Sequence, residues 1–81
     1  MPKRAEEHKD LYLSLGRAIS LKRRQLNMTQ DDLALASGVN RAFISNIEQG
    51  TRNPSIGAIA SIAQALGMKP SKLLAKSESL M

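Results

Sequence analysis

Apolar residues recur three and four residues apart along almost the whole chain, and the strict alternation typical of β-strands is absent. This spacing predicts a protein built of helices. The first helix is predicted over roughly Asp10 to Leu26, and the preceding residues either extend it or fray. Its inward stripe consists of Leu11, Leu15, Ala18, Ile19, Lys22 and Leu26, with the lysine contributing its aliphatic stem.

Capping residues define the second helix. Thr29 is expected to begin it, because a threonine hydroxyl accepts a hydrogen bond from the first helical turn. Asp31 and Asp32 would lie in that turn, where the helix dipole favours negative charge. Gly38 follows the last helical residue, and glycine adopts the left-handed conformation of a helix end at no steric cost. The second helix is therefore predicted over Gln30 to Ser37.

The same signals predict two further helices. Asn40 is a suitable cap for a third helix over Arg41 to Gln49. The glycine turn at Gly38 is typical of a helix-turn-helix, although ordinary helical hairpins use such turns too. A fourth helix is predicted between Ser55 and Gly67. Its inward stripe consists of Ile56, Ile59, Ile62, Ala63 and Leu66.

A short fifth helix is predicted to begin near Pro70, with Leu73 and Leu74 facing inward. No clear apolar stripe continues after these leucines, so a loose or lightly docked end is expected. The predicted organisation is an N-terminal tail or helix extension at 1–9, one all-α domain at 10–74, and a C-terminal tail at 75–81.

Length and charge narrow the expected function. The chain has 81 residues, with 12 Lys and Arg against 7 Asp and Glu, and a formal net charge of +5. A chain of this length forms one small core, which makes self-association an attractive source of further burial. The basic excess suggests an acidic partner, either nucleic acid or an anionic membrane surface. A soluble domain that carries the charge only to stay in solution is the alternative.

Several kinds of site are not expected from the composition. The chain has no cysteine, and its single histidine, His8, stands in a charged N-terminal stretch. We therefore expect no disulfide, no zinc site and no Ser-His-Asp triad, and thus no catalytic residues, metal, cofactor or small-molecule ligand. The longest apolar run, at 33–36, is far shorter than the roughly 20 residues of a membrane span. We expect a reducing, cytoplasmic location.

The third helix carries the most informative side chains. A helical wheel gathers Phe43, Ile44 and Ile47 on one side. The opposite side collects Arg41, Ala42, Ser45, Asn46 and Gln49. Arginine can bond guanine through two donors, Asn or Gln can pair with adenine, and alanine can touch a thymine methyl. This outer face therefore fits a DNA major groove, with a plain solvated helix face as the alternative.

The segment 28–50 resembles the Cro/repressor-type (XRE) helix-turn-helix family. The matching pairs, in order along the chain, are Thr29-Gln30, Leu33-Ala34, Gly38-Val39, Ile44-Ser45, Ile47-Glu48, then Gly50 and Pro54-Ser55. The likeness covers roughly 13–74, and its ordered spacing makes chance agreement improbable. Within the family, the runs from Asn40 to Ser45 and from Arg52 to Ser55 are most similar to the small restriction–modification controller proteins.

The resemblance implies an all-α, five-helix, lambda-repressor-like domain and assigns roles to individual residues. Positions that face base edges in the family are occupied by Arg41, Ala42, Ser45 and Asn46. Positions that contact phosphate are occupied by Gln30, Asn40, Thr51, Arg52 and Asn53. Glu48 corresponds to an acid that pairs with an arginine of the first helix, here Arg23.

The expected function is a sequence-specific DNA-binding transcriptional regulator, bacterial or phage-derived, cytoplasmic and associated with the nucleoid. A homodimer would place helix 41–49 of each copy in the major groove of double-stranded DNA, on a pseudo-palindrome with half-sites about 34 Å apart. The small outer face of the fourth helix, with Ala58, Ala60 and Ser61, is equally compatible with a dimer contact and with simple exposure. The alternative function is an antitoxin or protein-interaction adaptor with the same fold.

Overall fold

Five helices follow one another in this computed structural model, which describes residues 8–81. They are α1 (Lys9–Gln25), α2 (Gln30–Ser37), α3 (Arg41–Glu48), α4 (Ile56–Ala65) and α5 (Pro70–Ser79). No strand occurs in this part of the chain, so the predicted all-α, helix-turn-helix fold is confirmed. Of the N-terminal tail predicted at 1–9, residues 1–7 lie outside the described residues.

The start and end of α2 follow from the capping signals in the sequence. The Thr29 hydroxyl accepts a 3.0 Å hydrogen bond from the backbone N–H of Asp32, and Asp32 Oδ2 accepts a 2.9 Å bond from the backbone N–H of Thr29. These reciprocal bonds form a capping box. At the other end, Gly38 has φ 74°, the left-handed conformation that stops the helix. The observed α2 therefore has the predicted bounds.

All five helices contribute to one apolar core. Its buried members are Leu15, Ala18, Ile19, Leu33, Ile44, Ile47, Ile59, Ile62, Ala63, Leu66 and Leu73. The long helix α1 packs against α5 and α3, while α2 packs against α3 and α4. The core thus holds α3 from two sides and leaves its remaining face turned outward.

Two residues predicted to face the core are exposed instead. Leu26 is 43% exposed because α1 ends at Gln25, one residue earlier than predicted, and Asn27 then adopts a left-handed conformation with φ 57°. Ile56 is 73% exposed because it is the first residue of α4. Side chains on a helix tilt toward its N-terminus, so a residue at this position projects beyond the packed part of the helix.

Helix α5 is longer than predicted, and the C-terminal tail expected at 75–81 is helical through Ser79. Ser77 is fully buried, and its hydroxyl donates a 2.8 Å hydrogen bond to the carbonyl oxygen of Leu73. A buried serine satisfied within its own helix can occupy a core position without appearing in an apolar stripe. Packing of α5 along α1 supports the extra turn.

Gly16 fixes how closely α1 crosses the end of α3. A β-carbon at this position would stand 2.6 Å from the carbonyl oxygen of Glu48 and even closer to that of Ile47. Both atoms belong to the backbone, so neither can rotate away from a larger side chain. Glycine therefore permits the approach that brings Glu48 beside α1.

Candidate nucleic-acid interface

The beginning of α2 lies across α3, and its first two residues contact opposite ends of that helix. Gln30 Nε2 donates a 3.0 Å hydrogen bond to Glu48 Oε1, at the last residue of α3. Asp31 Oδ1 lies 3.0 Å from Nε of Arg41, the first residue of α3. An eight-residue helix is about 12 Å long, so these two contacts span it from end to end. The contact at Glu48 lies in a nearly buried region and holds the end of α3 against α2, whereas the contact at Arg41 is exposed.

The contact at Glu48 is part of a buried polar network. Arg23 Nε donates to Glu48 Oε2 at 2.8 Å, and a second guanidinium nitrogen donates to Oε1 at 3.0 Å. The third nitrogen donates to the carbonyl oxygen of Met28 at 2.8 Å. The two charged side chains are only 10% and 8% exposed. Hydrogen bonding to Glu48 raises the pKa of Arg23 above its ordinary value, against the opposing effect of burial.

The expected Arg23–Glu48 pair is therefore formed, but Gln30 has a contact that the sequence did not suggest. Gln30 was predicted to bind phosphate, and its amide nitrogen already donates one bond to Glu48. A primary amide has two N–H donors, so one remains for another acceptor. The half-buried side chain is thereby held in a defined position at the start of α2.

The outer face of α3 carries the four residues predicted to face base edges. Arg41 and Ala42 are exposed, whereas Ser45 and Asn46 are half-buried. On the inner face, Ile44 and Ile47 are buried in the core, as the helical wheel predicts. Gln49 is the C-cap rather than part of the helix, and its amide donates a 3.3 Å hydrogen bond to the Ser45 hydroxyl.

Asn40 stands at the N-terminus of α3 and caps it. Its Oδ1 accepts hydrogen bonds from the backbone N–H groups of Ala42 at 2.8 Å and Phe43 at 3.3 Å. The side chain is exposed. Because its oxygen serves the cap, only the amide nitrogen is suited to the phosphate contact that the sequence predicted.

Arg41 forms an ion pair that sequence reasoning missed. Its guanidinium pairs with Asp31 across the turn between α2 and α3, and the two side chains are 61% and 77% exposed. The relevant signal in the sequence was the pair of adjacent acids at 31 and 32, which was assigned to the helix dipole as a whole. Only the crossing of α2 over α3 shows which acid faces Arg41.

The loop after α3 carries three exposed polar residues, Thr51, Arg52 and Asn53. The Thr51 hydroxyl and backbone N–H both donate 3.0 Å hydrogen bonds to the carbonyl oxygen of Asn46, which ties the loop to α3. The Arg52 guanidinium carbon lies 5.3 Å from the centre of the Phe43 ring, within the range of a cation–π contact. The aromatic face therefore supports this arginine next to α3.

Neither a metal-binding cluster nor a membrane-spanning helix occurs among residues 8–81. No group of three or more His, Cys, Asp and Glu side chains is placed to hold a metal ion in that range. None of its helices combines the length and the apolar character that a bilayer crossing requires.

Comparison with known proteins identifies a family and a similar control protein. Residues 19–73 match a protein family described as helix-turn-helix. Control protein C.BamHI of Bacillus amyloliquefaciens is 48% identical over 48 residues, which make up 59% of this chain and 59% of that protein. The match thus spans less than two thirds of the length of this relative.

Solved structures show the same fold at low but significant identity. The restriction-modification controller protein C.AhdI from Aeromonas hydrophila is 31% identical, with a TM-score of 0.74 over 76% of this chain and 94% of that one. The clp gene regulator ClgR from Corynebacterium glutamicum is 31% identical, with a TM-score of 0.82 over 88% of this chain and 91% of that one. The five-helix arrangement is therefore shared with regulators and controller proteins.

Proposed function

The chain belongs to the helix-turn-helix family, and from this premise we propose that it is a sequence-specific DNA-binding transcriptional regulator. The observation that carries the proposal is the outward face of α3. This face bears hydrogen-bonding and small side chains, while the opposite face is buried in the core. Its relatives include proteins named as controllers and transcriptional regulators.

In the proposed complex, α3 lies in the major groove, which is about 12 Å wide and admits one helix. Base edges are read by Arg41, Ala42, Ser45 and Asn46. Arg41 is suited to guanine because its guanidinium offers paired donors to O6 and N7, and Ala42 is suited to a thymine methyl group. Asn46 is half-buried, so we assign it a shorter reach than Arg41, which lies at the exposed N-terminal end of the helix.

Backbone phosphates are held on both sides of α3. The contributing residues are Gln30, Asn40, Thr51, Arg52 and Asn53. Gln30 lies at the N-terminus of α2, and the second N–H of its amide group can donate to a phosphate while the first is bonded to Glu48. Arg52 supplies the cationic contact in the loop, and its position over Phe43 favours an orientation ready for binding. Phosphate contacts of this kind set the register of α3 in the groove.

The proposed active species is a homodimer on a pseudo-palindromic operator. One short helix reads only a few base pairs, and two copies related by a two-fold axis double the site that is recognised. The half-sites would lie about 34 Å apart, or a small multiple of that distance, because both helices must enter the same face of the duplex. Regulation would then follow protein concentration through the dimer–operator equilibrium.

Selection from a random duplex library with the purified protein tests this function. We expect enrichment of one short motif in two inverted copies. Arg41→Ala should cost about 1–3 kcal/mol and relax the preference at one base pair in each copy. The matched control is Lys72→Ala, which removes the same charge from an exposed position on α5 and should leave the motif unchanged.

Three outcomes would contradict the proposal or a part of it. Enrichment of no motif at moderate salt would favour a protein-interaction module, such as an antitoxin or adaptor, over a DNA reader. An unchanged motif with the Arg41→Ala variant would mean that another surface reads the bases. A single copy of the motif would contradict the homodimer, and sedimentation of the protein–DNA complex would report the number of chains directly.

A further inference from the structure

The two adjacent acids at the start of α2 serve different purposes. Asp32 completes the capping box with Thr29 through both its carboxylate and its backbone N–H. Asp31 takes no part in that box. Its Oδ1 instead lies 3.0 Å from Arg41 Nε on the neighbouring helix. The carboxylate of Asp31 is therefore directed at the arginine that we assign to base reading.

Stabilising the fold is a weak explanation for this ion pair. The side chains of Arg41 and Asp31 are 61% and 77% exposed, and exposed ion pairs contribute little to stability because water solvates both charges. The contact instead affects which acceptors Arg41 can bind. Asp31 is an anion beside a cation that would otherwise face the polyanionic DNA backbone.

We propose that Asp31 is a positioning residue, which restrains Arg41 and makes it select a guanine edge over a backbone phosphate. The proposal rests on the proposed DNA-binding function, which it deepens by naming a determinant of specificity. Asp31 acts through Arg41 and need not touch the DNA itself.

The selectivity follows from the chemistry of the two competing acceptors. A phosphate and a carboxylate are both anions that bind a guanidinium in similar ways, so a phosphate must either displace Asp31 or bind the terminal nitrogens close to its negative charge. A guanine edge is neutral. Its O6 and N7 can accept from the terminal nitrogens of the guanidinium while Asp31 keeps its contact at Nε. Asp31 therefore penalises non-specific contacts of Arg41 more than the specific contact.

The test measures affinity for a selected duplex and for an unrelated duplex of equal length, at one salt concentration. Asp31→Asn should raise affinity for the unrelated duplex more than for the selected one. We expect the ratio of the two affinities to fall about two- to fivefold, the range that corresponds to the coupling of exposed ion pairs. The matched control is Glu78→Gln, which removes the same charge from an exposed position on α5 and should leave the ratio unchanged.

A double-mutant cycle separates action through Arg41 from a general effect of charge. In an Arg41→Ala background, Asp31→Asn should leave the ratio unchanged, because the restrained group is gone. Asp31→Glu keeps a carboxylate near Arg41 and should retain most of the wild-type ratio. Thermal unfolding of each variant gives an independent measure of structural damage. Such damage by itself would weaken binding to both duplexes alike.

The results that would overturn the proposal differ from those that would overturn the function. If the wild-type protein selects a motif but Asp31→Asn keeps the wild-type ratio, the proposal is wrong and the DNA-binding function stands. The same holds if Asp31→Asn lowers the ratio equally with and without Arg41. A wild-type protein that selects no motif would overturn both.

Discussion

Two arginine–carboxylate pairs lie at opposite ends of α3, and they differ mainly in burial. Arg23 and Glu48 are 10% and 8% exposed at a separation of 2.8 Å. Arg41 and Asp31 are 61% and 77% exposed at 3.0 Å. The first pair joins α1 to α3, the second joins α2 to α3, and both use Nε of the arginine.

Because the two ion pairs differ in burial, they respond differently to the loss of a partner. A buried charge that loses its partner cannot regain water, so Arg23 and Glu48 depend on each other. An exposed charge can exchange its partner for water or for another anion at small cost. The buried Arg23–Glu48 pair, the inner pair, therefore helps to hold α3 in the fold. The exposed Arg41–Asp31 pair, the outer pair, leaves Arg41 able to bind a new acceptor.

The largest expected effect comes from breaking the inner pair. Glu48→Ala should lower the free energy of unfolding by about 3–5 kcal/mol, because Arg23 would remain buried and uncompensated. Gln30 would also lose its hydrogen-bond acceptor. Urea denaturation measures the loss, and the matched control is Glu78→Ala on the exposed face of α5, where a change within about 0.5 kcal/mol is expected.

A double replacement sharpens this test. Arg23→Met combined with Glu48→Met removes both charges and restores apolar packing, so it should recover part of the lost stability. Equal losses from Glu48→Ala and Glu78→Ala would contradict the claim that burial distinguishes the two regions.

The elements that local signals define were predicted well. The bounds of α2 came from Thr29 and Gly38, because a capping box and a left-handed glycine act within a few residues of each other. The outward face of α3 followed from the wheel, since Ile44 and Ile47 are buried and Arg41 is exposed. The family resemblance drawn from the segment 28–50 is confirmed by the match over 19–73.

Features that depend on contacts between distant elements were missed. The last turn of α5 needs α1 beside it and a buried Ser77, neither of which appears as an apolar stripe. The contact between Asp31 and Arg41 needs the crossing of α2 over α3, which no local spacing specifies. The same holds for the bond from Gln30 to Glu48. The base-reading and phosphate-binding roles themselves stay predictions.

A smaller effect is expected from Arg52, the exposed arginine of the loop. Arg52→Ala should weaken binding to every duplex by about fivefold near 0.15 M salt, because the variant loses one phosphate contact and releases one counterion fewer on binding. The slope of log affinity against log salt should become shallower by about 0.9. Stability should change little, since its contact with Phe43 lies at the surface. Titrations of one duplex at several salt concentrations measure the slope.

The control for Arg52→Ala is Lys72→Ala, which removes one charge from α5 and should alter the slope less. A large loss of stability in Arg52→Ala would mean that this arginine stabilises the fold. A change confined to one base pair would instead make it a base-reading residue.

The smallest expected effect concerns Asp32, which is exposed yet bonded to the backbone of its own helix. Hydrogen bonds from Thr29, above all from its backbone N–H, lower the pKa of Asp32. The folded protein then binds this proton less tightly than the unfolded chain does. The stabilisation is therefore fully present above the unfolded pKa, near 4, and is lost as the pH falls through the lower folded pKa.

Asp32→Asn keeps an acceptor for Thr29 but removes the charge, so its thermal midpoint should lie below that of the wild type at pH 7 and converge with it in acid. Asp32→Glu retains a carboxylate at the third helical position, where glutamate completes a capping box, and should follow the wild-type pH dependence. A difference between the wild type and Asp32→Asn that stays constant from about pH 7 to pH 2 would contradict the assignment. Convergence of the two thermal midpoints in acid would show that exposure alone does not decide what a charge contributes. Exposure allows a charge to exchange partners, but a carboxylate bonded to its own helix end contributes to the fold even at the surface.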